Sequence, residues 1–204
     1  NFNFEFNKIK STIIVDKKEY QVSEDEIKQH LEQGKDKFSS FHNAFLDKIC
    51  ILKIPKNKEA TLNIEVTLDE VGCDYIVIIA EENSKVNVIQ KEYGKGKARF
   101  GKLKVIAKEN AEINYIIHQQ FDQLHNFFWV EGEAAHNSKI NILTIQLGSA
   151  FTKMETVINL NGEGSESKTY GMFFGSGEQQ CDLCSITNHN AKQATSYMFT
   201  RGVV

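Results

Sequence analysis

The chain predicts a mainly β protein: a β-helix, or β-solenoid, of about 27 residues per rung, after a short N-terminal strand and helical segment. Three observations carry this. From Ile49 onward the apolar residues alternate with polar ones and no helical period returns. A small residue followed by a polar one opens strand after strand, at positions 60, 84, 111, 138, 167 and 194. Those positions lie 24, 27, 27, 29 and 27 residues apart, enough for two or three short strands and their corners. An ordinary β-sandwich has strands at this density but has no need of corresponding corners at near-constant spacing.

In chain order, Phe2, Phe4 and Phe6 alternate as in a strand, and Thr12–Val15 and Tyr20–Val22 flank a turn at Asp16-Lys17-Lys18. Ser23 and Glu26 form a capping box that opens a helix with Ile27 and Leu31 on one face, and Gly34 is a stop. Phe38, Phe41 and Phe45 have the spacing of a second short helix, whose aromatic stripe reads as core. The expected organisation is therefore an N-terminal segment over 1–48 and a β-helix over 49–204. The only proline, Pro55, sits at a strand end before a turn at Lys56-Asn57-Lys58. Within each rung, Val and Ile after the small residue are expected to fill a stacked apolar interior.

Composition narrows the function classes. With 24 basic against 27 acidic residues and a net charge of −3, no global basic field recruits nucleic acid or anionic membrane. The apolar runs fall far short of the roughly 20 residues of a membrane helix. Four scattered cysteines make no disulfide framework, and the expected compartment is cytoplasmic. The ending Gly202-Val203-Val204 is strand-like, as in part of a longer chain, so the last rung is expected to be covered or paired with another chain.

Few residues point to chemistry. Gly96–Leu103 nearly spells a phosphate-binding loop, but Leu103 replaces the hydroxyl and a strand follows, so a basic solvated hairpin corner is expected. Cys181-Asp182-Leu183-Cys184 is a single C-x-x-C with no second pair for zinc, and strand parity sends its thiols to opposite faces. His189 shares parity with Cys181 about 26 Å along an extended strand. His118, His125 and His136 read as satisfied polar residues, and no catalytic triad can be assembled. Catalytic residues are expected to be none and no metal ligand is assigned. Cys181, Cys184 and His189 are the candidates for cofactor binding, because thiolate and imidazole suit iron and persulfide.

Several stretches resemble the SufB/SufD family of iron–sulfur cluster assembly proteins. Val157–Ser165 resembles the family's "NLxGxGA", and Gly177–Val203 its "GxQxxDxxTxxxHxAxxxxSxxxxxGV", with Asp182, His189 and Gly202 in the matching places. His42–Lys56 is similar to "LNxAFxxDGxFIxVPKG", except that Lys48-Ile49 stands where glycine is expected. Ile78–Glu82 with Ser84–Gln90 is similar to "IVxEExAxxxxIE". The resemblance spans about residues 40–204 and covers SufB-like, SufD-like and dual-role members. It implies a right-handed parallel β-helix that serves as a scaffold with no enzymatic activity, works on a transient iron–sulfur cluster and holds no stable cofactor in this part. It also implies two partners: a SufB/SufD-like subunit, or a second copy, at the β-helix edge, and a SufC-like ABC ATPase at a C-terminal helical part. From the residues alone, a β-helical carbohydrate-active lyase or hydrolase is the alternative, and a lateral cluster of carboxylates or basic residues would mark it.

Overall fold

The computed structural model describes residues 10–19 and 37–204. The expected strand at Phe2–Phe6, the capped helix from Ser23 and the strand from Tyr20 lie outside them. Strands β1 (Ser11–Val15) and β2 (Lys18–Glu19) form a hairpin through Asp16 and Lys17, both at positive φ, the geometry of a two-residue type I′ turn. Helix α1 (Lys37–Ala44) follows, and then twelve strands make six rungs.

Each rung is two long strands joined by short corners. Sheet A holds β3 (Lys48–Ile54), β5 (Val71–Ala80), β7 (Ala98–Ala107), β9 (His125–Ala134), β11 (Phe151–Leu160) and β13 (Gln180–His189). Sheet B holds β4 (Glu59–Leu68), β6 (Lys85–Lys95), β8 (Glu112–Asp122), β10 (Lys139–Gly148), β12 (Glu166–Phe174) and β14 (Thr195–Val203). All rung-to-rung pairings are parallel; the antiparallel pairings are those of β1, with β2 in the hairpin and with β4, which it caps. The expectation of two or three short strands per rung is corrected to two of mostly nine to eleven residues, because the interior lies between two flat sheets with only two corners.

The first corner is the most regular element. An i→i+3 hydrogen bond closes it at Pro55–Lys58, Glu81–Ser84, Lys108–Ala111, Ala135–Ser138 and Gly162–Ser165. The third residue of each turn has positive φ: Asn57, Asn83, Asn110, Asn137 and Gly164. Asparagine and glycine suit that region, where other side chains cost about 1–2 kcal/mol. The amides also stack, Asn110 Nδ2 donating to Asn83 Oδ1 and Asn83 Nδ2 to Asn57 Oδ1, each at 3.1 Å. The repeating small residue is the fourth residue of this turn. At Ser84, Ser138 and Ser165 its hydroxyl also donates to the first residue's carbonyl. Register moves two of the expected positions: 165 replaces 167, and 58 replaces 60, where the turn's fourth residue is Lys58 and not a small one.

Inward side chains beside this corner are aliphatic, as expected, with Ile78, Val105 and Ile158 facing Val86, Ile113 and Ile140 in one core. On the outer face of sheet A, α1 lays its aromatic stripe over Val71, Cys73, Phe100 and Phe127. Phe38 stacks on Phe127 with centroids 4.4 Å apart, and Phe41 packs on Phe100 at 4.6 Å.

Candidate functional site

The polar residues of the interior gather beside the second corner, where the expected all-apolar filling does not hold. Arg99 leaves the second residue of β7 at the same parity as Leu103 and Val105, so it points inward and is fully buried. This corrects the reading of Gly96–Leu103 as a solvated basic corner. Only Gly96 and Lys97 form the corner, Lys97 pairs with Glu70, and β7 begins at Ala98. Inside, Arg99 Nε and Nη2 donate to the two carboxylate oxygens of Asp74 at 2.9 and 2.7 Å, and Nη1 lies 2.8 Å from Glu92 Oε2.

The cluster continues into sheet B. Gln90 bridges, its amide donating to Glu92 Oε1 while its carbonyl accepts from the Tyr115 hydroxyl. One cation thus sits between two carboxylates, and all three side chains are fully buried. Burial alone would pull the Arg99 pKa down, but Asp74 and Glu92 outweigh it and keep the guanidinium charged. Burial, only partly offset by Arg99 and reinforced by Asp74, holds the Glu92 carboxyl above its usual range. Gly101 makes room for this: a Cβ there would sit 2.6 Å from the guanidinium carbon. The guanidinium also lies over the Phe128 ring at 4.6 Å. A second group joins rungs further along, with Asn126 donating to Gln119 at 2.6 Å and Gln119 to Ser149 at 2.9 Å.

Asp74 ties this cluster to the outer face. Its backbone carbonyl accepts from His42 Nε2 at 3.0 Å, beneath α1. His42 is buried near Tyr75 and Trp129, and burial lowers its pKa. Sequence reasoning singled out neither His42 nor the Asp74–Arg99–Glu92 cluster. The signal available for Arg99 was its strand parity.

The named candidates lie on β13. Cys181 is in register with inward-facing Thr152, and Cys184 with Glu155, so the thiols leave the strand on opposite sides; both residues are exposed. Cys181 and Cys184 both border a cavity of about 310 Å³ between the sheets, with Met154, Thr156, Thr169 and Thr200. Partial burial raises the Cys181 pKa. β13 runs unbroken to His189, whose ring nitrogens lie 2.8 Å from Ser196 Oγ and 3.1 Å from the Ala194 carbonyl. Eight extended residues therefore keep His189 about 26 Å from Cys181, so the histidine is not brought to the two thiols. Among the described residues, no three His, Cys, Asp or Glu side chains gather as a metal site. The other thiols, Cys50 and Cys73, are buried, and burial pushes Cys50 up to about 12.

A two-sheeted parallel β-helix with a regular asparagine corner and a polar inner half defines the class of protein. The family described as SUF system FeS cluster assembly, SufBD core domain, matches residues 64–204. The chain belongs to that SufB/SufD core-domain family, and its role is accordingly in iron–sulfur cluster assembly. Comparison with curated proteins finds no match. Among the described residues, no helix is long and apolar enough to cross a membrane.

Proposed function

We propose that the chain is a non-catalytic scaffold component of Suf-type iron–sulfur cluster assembly. It pairs with a SufB/SufD-like subunit and works with a SufC-like ABC ATPase in the cytoplasm. The family match over 64–204 carries this reading. The outer carboxylates support it against a carbohydrate-active enzyme. Glu112, Glu131, Glu133 and Glu166 pair with Lys85, Lys102, Lys104 and Lys139 at 3.0, 3.5, 3.0 and 3.3 Å, tiling the surface between rungs. Cys181 and Cys184 are the accessible thiols for transient iron or sulfur.

The test is co-purification of the full-length protein with an ABC-type ATPase, followed by anaerobic reconstitution with iron and sulfide. Retained ATPase and cluster absorption in the visible range are expected. Absence of both the ATPase and the absorption would contradict the proposal.

A further inference from the structure

The outer faces of the two sheets are matched in geometry and differ in cover. On sheet A, α1 runs across the strands. Three helical residues rise about 4.5 Å, close to the strand spacing of about 4.8 Å, so each turn meets a new strand. Phe38 meets Phe127 of β9, Phe41 meets Phe100 of β7, and His42 faces Tyr75 of β5. Sheet B offers the same periodicity. Ile89, Ile116, Leu143, Tyr170 and Phe199 stand in register on β6, β8, β10, β12 and β14, all facing outward. The next row holds Ile145 and Met172 among basic residues, and the row beyond it holds Tyr93, Leu147, Phe174 and Val203; Met172 and Phe174 are 41% and 45% exposed. No described helix lies on this face.

Charge distinguishes the occupant. Lys168 stands in the row on one side of the Ile89–Phe199 column, and Lys91, His118 and Arg201 stand in the row on its other side. The Arg201 guanidinium lies over Phe199 at 5.3 Å. Acidic residues on these strands' outer face sit at the strand ends in ion pairs, Glu112 with Lys85, Glu166 with Lys139 and Asp122 with Lys95. The Ile89–Phe199 column is apolar, and the rows on either side of it carry the basic residues.

Size selects among occupants with that complement. Five strands by three outward positions cover roughly 500 Å², from strand spacing and rise. A stable dimer needs about 800 Å² from each copy, so a second copy of this face is undersized. One helix lying across five strands spans about 19 Å, or about 13 residues, and fits.

We propose that the outer face of sheet B is the docking surface for an acidic amphipathic helix of a partner protein, laid across the strands as α1 is laid across sheet A. Its apolar residues at i, i+3, i+4 and i+7 would meet successive strands, and its acidic flanks would meet Lys91, Lys168 and Arg201. This inference does not depend on where a cluster is built.

The test uses the whole chain and a labelled designed helix of about 13 residues, with leucines at that spacing and glutamates on the flanks. Fluorescence anisotropy is expected to show binding at least about tenfold tighter than for the same peptide carrying lysines. Leu143→Asp and, separately, the exposed-site substitution Arg201→Glu should each weaken it by about tenfold or more. Circular dichroism on Arg201→Glu separates loss of docking from loss of fold. No binding, equal binding of both peptides, or indifference to Arg201→Glu in a folded chain would overturn the proposal. So would binding to phosphatidylglycerol vesicles, or self-association, abolished by the same substitutions, since either would assign the face to a membrane or to a second copy.

Discussion

Beside the asparagine corner the solenoid is dry: Ile78, Val105 and Ile158 of sheet A face Val86, Ile113 and Ile140 of sheet B. Beside the opposite corner the same sheets turn Arg99, Asn126 and Thr152 inward with Glu92, Gln119 and Gln146. Both halves obey the same register, so backbone geometry does not separate them. In the dry half a residue is satisfied by contact with its equivalent one rung away. In the polar half it is satisfied by a partner of opposite charge or matching hydrogen-bond type, drawn from the facing sheet as well as the next rung. Burial stabilises the first arrangement directly. The second carries a desolvation cost, and only mutual compensation makes it tolerable.

This comparison can be broken from either side. Arg99→Met should have the largest effect, about 3–5 kcal/mol in chemical denaturation, because it leaves Asp74 and Glu92 buried without their cation. In the dry half, Leu103→Ala should cost about 2–5 kcal/mol by leaving a cavity in a stack that cannot collapse. An effect there equal to a surface substitution would show that the stack is not tightly packed.

Corner chemistry gives a smaller effect. Asn110→Ala puts an alanine at a φ of 55° and breaks the amide ladder, for about 1–2 kcal/mol. Asn110→Gly should lose less, and thermal melts of the pair separate conformation from hydrogen bonding.

His42 gives the smallest and most conditional effect. Burial lowers its folded pKa below the ordinary value near 6.5, so the unfolded chain binds the proton more readily. The stability of the neutral buried ring is therefore complete above that value. It is lost as pH falls, at up to about 1.4 kcal/mol per pH unit until the folded value is passed. His42→Gln, which keeps a donor for the Asp74 carbonyl, should flatten that slope between about pH 6.5 and the folded value.

The fold was legible because corner and strand repeat together, and a small residue before every sheet B strand except β4 marks the rung. The asparagine two residues before most of those strands was equally available and carries the better physical reason, a positive φ. It was overlooked because an asparagine in a polar turn looks ordinary until its spacing is counted. Arg99 was misread for a related reason. The run Gly96–Lys102 is dense in basic residues, and density outweighed the parity that aligns Arg99 with Leu103 and Val105. His42 was hidden more deeply, since its burial depends on α1 docking over Tyr75, a contact between segments 33 residues apart in sequence. The candidate residues on β13 could be placed by parity, but an extended strand keeps Cys181 and His189 apart whatever their chemistry.

The most direct test of the divided interior compares Arg99→Met with the triple substitution Asp74→Leu, Glu92→Leu, Arg99→Met. If the ionic cluster is held by mutual compensation, the triple variant should recover most of the stability that the single variant loses, because no uncompensated charge remains. A triple variant as unstable as Arg99→Met alone would contradict the account, and would mean that the charged groups themselves support the fold.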